Sequence, residues 1–195
     1  MRYIISIWRE MKRSWIVQSQ APLLTKEQCE DIITKMKDNA KQNEGAKINT
    51  GEIVGPVSRQ CKLNWLPYKE NESTYQTINS MVDQVNLEHF GFDKLDTNEL
   101  AQYTEYETNG YYDWHFDTNV HTIGDKIRKI SMTLLLNDPS EFEGGELELL
   151  DERGKSKLKQ GHVIFFASFI RHRVTEITKG NRKALIMWFH GVPFK

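Results

Sequence analysis

The second half of the chain is a succession of short apolar or alternating segments, separated by residues that favour turns. Period-two alternation indicates strands with one buried face, and the nearly continuous apolar run at 162–167 indicates a strand buried on both faces. The predicted strands are residues 99–106, 127–136, 145–150, 162–167 and 183–190. Turn signals separate them, among them Asn109-Gly110, Gly144-Gly145 and Gly180-Asn181. Several short strands at this spacing predict a β-sandwich or jelly roll.

The first half of the chain has helical periodicity instead. A first helix is predicted after Thr25, which fits a capping box with Gln28 three positions later. Its apolar residues recur at helical spacing and share one face: Cys29, Ile32, Ile33 and Met36. A second helix is predicted over residues 73–89. We expect both helices to pack against one outer face of the β-structure, giving a mainly β fold with flanking helices.

The charge balance argues against a broad electrostatic attraction to nucleic acid, which needs a basic face. The 195 residues contain 26 lysines and arginines against 27 aspartates and glutamates, a formal net charge of -1. No apolar run approaches the roughly 18 residues of a membrane-spanning helix, and the amino-terminal apolar stretch is too short for a secretory signal. Because Cys29 and Cys61 are the only cysteines, we expect a reducing compartment: the cytoplasm, or the host cytoplasm for a viral protein.

A histidine and an aspartate stand two positions apart in the segment YYDWHFDTN. Side chains two positions apart on a strand share a face, so the His115 imidazole and the Asp117 carboxylate converge while Phe116 turns into the opposite layer. With a distant second histidine they would form a facial triad, an arrangement that suits non-haem Fe(II) and leaves coordination positions open. The pair alone is a weak signal, because many surface strands contain it.

His172 is the candidate third ligand, and Arg182, ten residues later, is a candidate anion-binding residue. Each has a simpler local explanation: an exposed histidine between two arginines, and a solvated charge at the start of a strand. An arginine can instead bind a carboxylate through two parallel hydrogen bonds and is always charged. The order and spacing of these residues after the His-x-Asp pair favour a metal site with a carboxylate anchor.

These motifs resemble the iron- and 2-oxoglutarate-dependent dioxygenases of the prolyl 4-hydroxylase type. The resemblance rests on Tyr106 nine residues before the HFD motif, on the segment NDPSEFEGGELEL, and on the His-Arg-Val motif with a basic residue ten positions beyond its histidine. It covers roughly residues 98–192. It implies a double-stranded β-helix, a form of jelly roll, over residues 98–195. Residues 1–97 would be mainly helical support and loop in a single catalytic domain, residues 1–195.

The resemblance also implies roles for individual residues. His115, Asp117 and His172 would ligate Fe(II), and Arg182 would hold the far carboxylate of the cosubstrate 2-oxoglutarate. The collagen-type enzymes carry a lysine at the position of Arg182, and arginine preserves the charge. No side-chain general base is required, so Asp117 would be a ligand and not an acid–base catalyst.

Further residues of the cosubstrate pocket follow from the same resemblance. Tyr106 would contact the carboxylate that Arg182 holds, and Trp188 would wall the pocket, with Leu147 and Val174 beside it. Ordinary core packing is the alternative explanation for all of these except Arg182. His121 and His190 have no matching spacing and are expected at the surface or partly packed.

The implied reaction consumes O2 and 2-oxoglutarate, with ascorbate as reductant, and hydroxylates an unactivated C–H bond with release of succinate and CO2. The expected substrate is a prolyl residue of a peptide or protein, with a free amino acid or another small molecule as the alternative. Nucleic-acid demethylation by the same chemistry and a jelly-roll binding module with a vestigial metal site are two further alternatives. Neither nucleic acid nor a membrane is an expected partner, and the oligomeric state is left open.

Two loops are candidates for substrate contact, residues 43–62 and 118–126, with Arg59 and Trp65 near the mouth of the barrel. Residues 43–57 hold three glycines and a proline among few apolar residues, too little surface to offset the entropy of ordering them. We expect this segment to be mobile in the free enzyme and to close over the metal when substrate binds. The alternative is a surface loop that never approaches the metal.

Overall fold

The computed structural model describes residues 14–42, 59–118, 125–150 and 155–194. Two α-helices lie in these ranges, α1 (Lys26–Gln42) and α2 (Glu72–Val85), and a π-helical turn, Asn86–Phe90, continues α2. The strands of the amino-terminal half are β1 (Ile16–Gln18), β2 (Arg59–Gln60) and β3 (Lys62–Trp65). The other strands are β4 (Gln102–Tyr106), β5 (Tyr111–His115), β6 (Ile127–Leu135), β7 (Phe142–Gly144), β8 (Leu147–Leu149), β9 (Lys155–Ser156), β10 (Val163–Ala167), β11 (His172–Val174), β12 (Ile177–Gly180) and β13 (Arg182–Gly191).

The strands form two larger sheets and one small ladder, and the neighbouring strands pair antiparallel. The first sheet has six strands in the order β1-β10-β6-β13-β4-β3, and the second has five in the order β2-β5-β11-β8-β9. Strands β12 and β7 form the ladder. Strands adjacent in a sheet are mostly distant in the chain, as in a jelly roll, so the predicted mainly β fold is confirmed.

Two hydrophobic cores lie on opposite faces of the six-stranded sheet. The larger core joins this sheet to the helices and includes Cys29, Ile32, Met36, Tyr75, Ile78, Val82, Ile130, Met132, Phe165, Leu185 and Phe189. The smaller core joins it to the five-stranded sheet and includes Tyr106, Leu135, Leu147, Leu149, Ile164, Phe166 and Val174. The packing of the helices on one sheet is therefore as predicted, and the space between the two sheets is left for a site.

The predicted capping box is present at the start of α1. The backbone N–H of Thr25 donates to Gln28 Oε1 at 2.8 Å, and the backbone N–H of Gln28 donates to Thr25 Oγ1 at 3.3 Å. Two free N–H groups at the helix start are thereby satisfied. The predicted second helix runs as α2 and its π-helical continuation to Phe90, and Gly91 ends it in a left-handed conformation.

Gly161 connects the β-structure to the segment that leads into α1. Its carbonyl accepts hydrogen bonds from the backbone N–H groups of Leu23 and Leu24, and its own N–H donates to the carbonyl of Leu135. Its φ is +77°, and a Cβ at this position would lie 2.1 Å from the carbonyl oxygen of Leu24. No side chain fits there without moving the backbone.

We expect Gly161→Ala to lower the free energy of unfolding by about 2–4 kcal/mol, because strain in φ adds to the backbone clash. Urea denaturation measures this difference. Gly191→Ala is the control, since the nearest atom to a Cβ there belongs to the flexible side chain of Lys129, at 3.1 Å. Equal losses in the two variants would contradict the role assigned to Gly161.

Candidate active site

Strand pairing brings together the three residues that the sequence singled out as metal ligands. β5 ends at His115, and β11 begins at His172, which lies opposite His115 in the antiparallel register. The ligand atoms of His115, Asp117 and His172 all lie within 4.8 Å of one another. His115 Nε2 is 3.6 Å from Asp117 Oδ1, and His172 Nε2 is 3.5 Å from Asp117 Oδ2.

Asp117 reaches this cluster differently from the way the sequence predicted. Because β5 ends at His115, Asp117 lies just beyond the strand, where its backbone N–H donates to the carbonyl of Ser168 at 3.1 Å. Phe116 does not turn into a packed layer as expected, and is exposed. The loop after β10 therefore takes over from the strand in positioning the carboxylate.

Each imidazole is oriented by a backbone carbonyl two residues earlier in the chain. His115 Nδ1 lies 2.7 Å from the carbonyl oxygen of Asp113, and His172 Nδ1 lies 2.9 Å from that of Ile170. A carbonyl oxygen can only accept, so Nδ1 carries the proton in each neutral ring. The lone pair of each Nε2 is then free to bind a metal, the arrangement typical of metal-ligating histidines.

Ring packing fixes the positions of both imidazoles, and burial favours the neutral form of His115. The His115 ring stacks on Tyr112 with centroids 3.5 Å apart, and the His172 ring meets Phe166 edge-on at 4.6 Å. Burial, and next the neighbouring His172, lower the pKa of His115 to about 4. Burial acts to raise the pKa of Asp117, but His172 and His115 outweigh it and hold that pKa below its usual range. Two imidazole Nε2 atoms and one carboxylate face one point, a donor set that fits Fe(II).

The cluster lines a cavity of about 240 Å³ between the two larger sheets. The cavity wall contains Arg59, Gln102, Tyr106, Tyr112, His115, Asp117, Arg128, Thr133, Leu147, His172, Val174, Arg182, Ile186 and Trp188. All the residues that the sequence assigned to the cosubstrate pocket are in this wall. Trp65 is not in it; its side chain is 46% exposed on β3.

Arg182 is a buried cation without a counter-charge in the part of the chain that the structure describes. It begins β13 opposite Tyr106 of β4, and its Cζ is 5.8 Å from the centre of the Tyr106 ring. Only 3% of the residue is exposed, so it is not the solvated edge charge of the simpler explanation. Burial lowers its pKa. An unpaired buried charge costs free energy, and an anionic ligand in the cavity would offset that cost.

A charged network behind Trp188 was missed by sequence reasoning. Arg128 Nε donates to Glu99 Oε1 at 2.6 Å, and Arg128 Nη2 donates to Glu99 Oε2. Arg128 Cζ lies 3.7 Å from the centre of the Trp188 ring, and His190 Nε2 lies 2.9 Å from Glu99 Oε1. His190, expected at the surface or partly packed, is 1% exposed. Only the strand register brings these residues together, so no local pattern could have revealed them.

The network makes a prediction for the pH dependence of stability. Burial acts to raise the pKa of Glu99, but hydrogen bonds from His190 and Arg128 outweigh it and lower the pKa to about 2. Since this pKa lies below that of the unfolded chain, the ionised carboxylate stabilises the fold above about pH 4.5, and the contribution is lost as the pH falls toward 2.

We expect Glu99→Gln to cost about 3 kcal/mol at pH 7 and progressively less between pH 5 and pH 3. Urea unfolding of both proteins across this range measures the difference. Glu88→Gln is the control, because Glu88 is exposed on the π-helical turn. A difference between wild type and Glu99→Gln that stays constant with pH would contradict the assignment.

Two sequence predictions fall on residues outside the described ranges. The proposed lid, residues 43–57, lies wholly outside them, and so do residues 119–124 of the second candidate loop. Closure over the metal therefore stays a prediction. Among the described helices, none is both long and apolar enough to cross a membrane.

Comparisons with known proteins agree with this geometry. A family model for the 2OG-Fe(II) oxygenase superfamily matches residues 101–190. A PKHD-type hydroxylase from Xylella fastidiosa is 35% identical over 150 residues, which are 70% of this chain and 65% of that protein. The chain spans about two thirds of the length of the curated relatives that it matches.

Two solved structures share the fold. A viral collagen prolyl hydroxylase from Paramecium Bursaria Chlorella virus-1, in complex with 2OG, superposes with a TM-score of 0.69 at 21% identity, covering 92% of this chain and 97% of that one. A prolyl hydroxylase from Trichoplax adhaerens, in complex with a hypoxia inducible factor peptide fragment, gives 0.66 at 17% identity, covering 90% and 83%. At these identities the likeness establishes a common fold.

Proposed function

We propose that the protein, whose residues 101–190 match the family model of the 2OG-Fe(II) oxygenase superfamily, is an Fe(II)- and 2-oxoglutarate-dependent dioxygenase that hydroxylates a prolyl residue in a peptide or protein. The observation that carries the proposal is the pairing, in one cavity, of the His115–Asp117–His172 cluster with the uncompensated charge of Arg182. A binding module with a vestigial metal site would not need both features intact.

His115, Asp117 and His172 would hold the metal by two Nε2 atoms and one carboxylate oxygen. Three protein donors leave positions open for a chelating cosubstrate and for oxygen. The carbonyls of Asp113 and Ile170 keep both rings in the tautomer that ligation requires, so little reorganisation accompanies binding.

Arg182 would bind the carboxylate of 2-oxoglutarate that lies away from the metal. The guanidinium offers parallel donors that match a carboxylate, and its burial strengthens the attraction. Tyr106, packed beside it, would contribute its hydroxyl group, and Trp188 would form the wall next to the cosubstrate.

When bound, Fe(II) with 2-oxoglutarate would supply the oxidising chemistry: O2 and 2-oxoglutarate are consumed, succinate and CO2 are released, and one oxygen atom is inserted into a C–H bond. The side chains position that bond and exclude water. Asp117 stays ionised as a ligand, and no residue of the cavity is needed as a general base. Ascorbate would keep the metal in the ferrous state.

Peptidyl proline as the substrate is supported by two solved structures that share the fold. One is a viral collagen prolyl hydroxylase, and the other is a prolyl hydroxylase in complex with a peptide fragment. A free amino acid is the alternative within the same chemistry. Nucleic-acid demethylation is less well supported, because the net charge of the chain is -1.

The test is incubation of the protein with Fe(II), 2-oxoglutarate, ascorbate and either a proline-containing peptide or a free amino acid from a panel of both, followed by mass spectrometry. We expect a gain of one oxygen atom in at least one peptide, with succinate formed in equal amount, and neither product when 2-oxoglutarate is omitted. If only free amino acids gain oxygen, the substrate is a free amino acid and not a peptide. If the protein binds Fe(II) but consumes no 2-oxoglutarate in any of these mixtures, the proposed dioxygenase activity is refuted.

A further inference from the structure

Arg59 is a second cation in the cavity wall that no described carboxylate neutralises. It lies on β2, at the edge of the five-stranded sheet, and pairs in register with Tyr112 of β5. Its Nε donates to Cys61 Sγ at 2.9 Å, and no ion pair joins it to another residue in the described ranges. Arg128, in the same wall, is by contrast held by Glu99.

Arg59 lines the same cavity as the candidate metal ligands and contacts the same ring as one of them. Its Cζ lies 4.4 Å from the centre of the Tyr112 ring, and that ring stacks on the ligand His115. A group bound to the guanidinium from the cavity side would therefore share the cavity with the metal and its cosubstrate. Because Nε is engaged by Cys61, the two Nη groups remain to bind a carboxylate end-on with two hydrogen bonds.

When Fe(II) and 2-oxoglutarate are bound, the formal charges of the cavity sum to one net positive charge. The charged wall residues are Arg59, Arg128, Arg182 and Asp117. Glu99 neutralises Arg128, and the two charges of Fe(II) with that of Arg182 balance Asp117 and the two carboxylates of 2-oxoglutarate. Among the described wall residues, the charge of Arg59 is then the one left uncompensated, and a single substrate carboxylate would compensate it.

We propose that Arg59 binds a carboxylate of the substrate, so that the preferred substrate carries an acidic group beside the C–H bond to be hydroxylated. This inference rests on the proposed function. The carboxylate has two sources, the α-carboxylate of a carboxyl-terminal residue or free amino acid, and the side chain of an aspartate or glutamate adjacent to the target residue. Arg59 is thus a specificity-determining residue of the site.

Anaerobic calorimetry on the full chain loaded with Fe(II) and 2-oxoglutarate tests the inference without turnover. Two probe pairs separate the sources: N-acetylproline against its amide, and a doubly capped peptide containing Asp-Pro against the same peptide containing Asn-Pro. We expect the acid of one pair to bind about 10- to 100-fold more tightly than its neutral partner. Whichever pair shows the preference identifies the source of the carboxylate.

Arg59→Gln should abolish this preference, and Lys62→Gln should retain it. Lys62→Gln is the matched control, because this substitution also removes one positive charge, from the adjacent strand. Lys62 pairs with the exposed Glu107 and does not line the cavity. Equal affinities within both pairs in the wild type, or a preference that survives in Arg59→Gln, would overturn the inference.

The same titrations separate this inference from the proposed function. If 2-oxoglutarate binds normally and the probes show no acid preference, the role proposed for Arg59 is wrong, but the proposed dioxygenase function is unaffected. If 2-oxoglutarate does not bind to the Fe(II)-loaded protein, the proposed function itself fails. A loss of 2-oxoglutarate affinity in Arg59→Gln would assign Arg59 to the cosubstrate and overturn the inference.

Discussion

His172→Ala is expected to lose iron binding and all 2-oxoglutarate turnover while the fold survives. The substitution leaves His115 and Asp117 as the only donors of the cluster, and we expect the affinity for Fe(II) to fall by more than about 100-fold. The ring borders the cavity and packs edge-on against Phe166, so we expect its loss to lower stability without unfolding the protein. Calorimetry with Fe(II) under anaerobic conditions and a succinate assay measure the two losses, and circular dichroism monitors the fold.

His162→Ala is the matched control for this experiment, because His162 precedes β10 and does not line the cavity. It should bind iron and turn over as the wild type does. If His172→Ala still consumed 2-oxoglutarate at near the wild-type rate, the assignment of His172 as a ligand would be wrong.

Arg182→Ala is expected to raise the 2-oxoglutarate requirement by two to three decades and to leave iron binding intact. A buried carboxylate that loses its charged partner costs about 3–5 kcal/mol, and the lower part of this range corresponds to this change in affinity. Arg182→Lys should do less damage, since the charge survives although the planar pair of donors does not. Titration of 2-oxoglutarate against each variant decides between these outcomes.

The ligand-free protein offers a second measurement on the same variant. Because no described residue pairs with the Arg182 guanidinium, its removal should not lower the free energy of unfolding as the loss of a buried ion pair would. Lys183→Ala is the control for the cosubstrate, since Lys183 is adjacent but does not line the cavity. If Arg182→Ala leaves the 2-oxoglutarate affinity unchanged and Lys183→Ala lowers it, the residue that binds the cosubstrate carboxylate is Lys183 and not Arg182.

The parts of the fold that were predictable from the sequence are those that local physics determines. Period-two alternation located β6, β8 and β13, and the apolar run located β10. The structure buries both faces of β6 and β13, however, and not the single face that alternation indicates. The capping box at Thr25 is likewise a local hydrogen-bonding motif, and the structure has it. The spacing of His115 and Asp117 predicted that the two side chains meet, although Asp117 reaches the cluster from beyond the end of the strand.

Other features depend on contacts between distant parts of the chain. β1 and β2 have 3 and 2 residues, too few for a periodic signal, and exist because a partner strand offers free backbone groups. The proximity of Arg59 to His115 follows from the pairing of β2 with β5, and the burial of His190 follows from Glu99 and Arg128. From the sequence alone, a polar residue that is buried by distant parts of the chain cannot be distinguished from a surface residue.

The register that sets His172 opposite His115 also has a consequence for stability. A metal held by both residues would join two adjacent strands whose ligands are distant in sequence, residues 115 and 172. Because this site exists only when the two strands are paired, the free energy of metal binding would add to the free energy of folding. In a chain whose described cysteines are free thiols, the bound ion would then act as a reversible link between strands that is removed by chelation rather than by reduction.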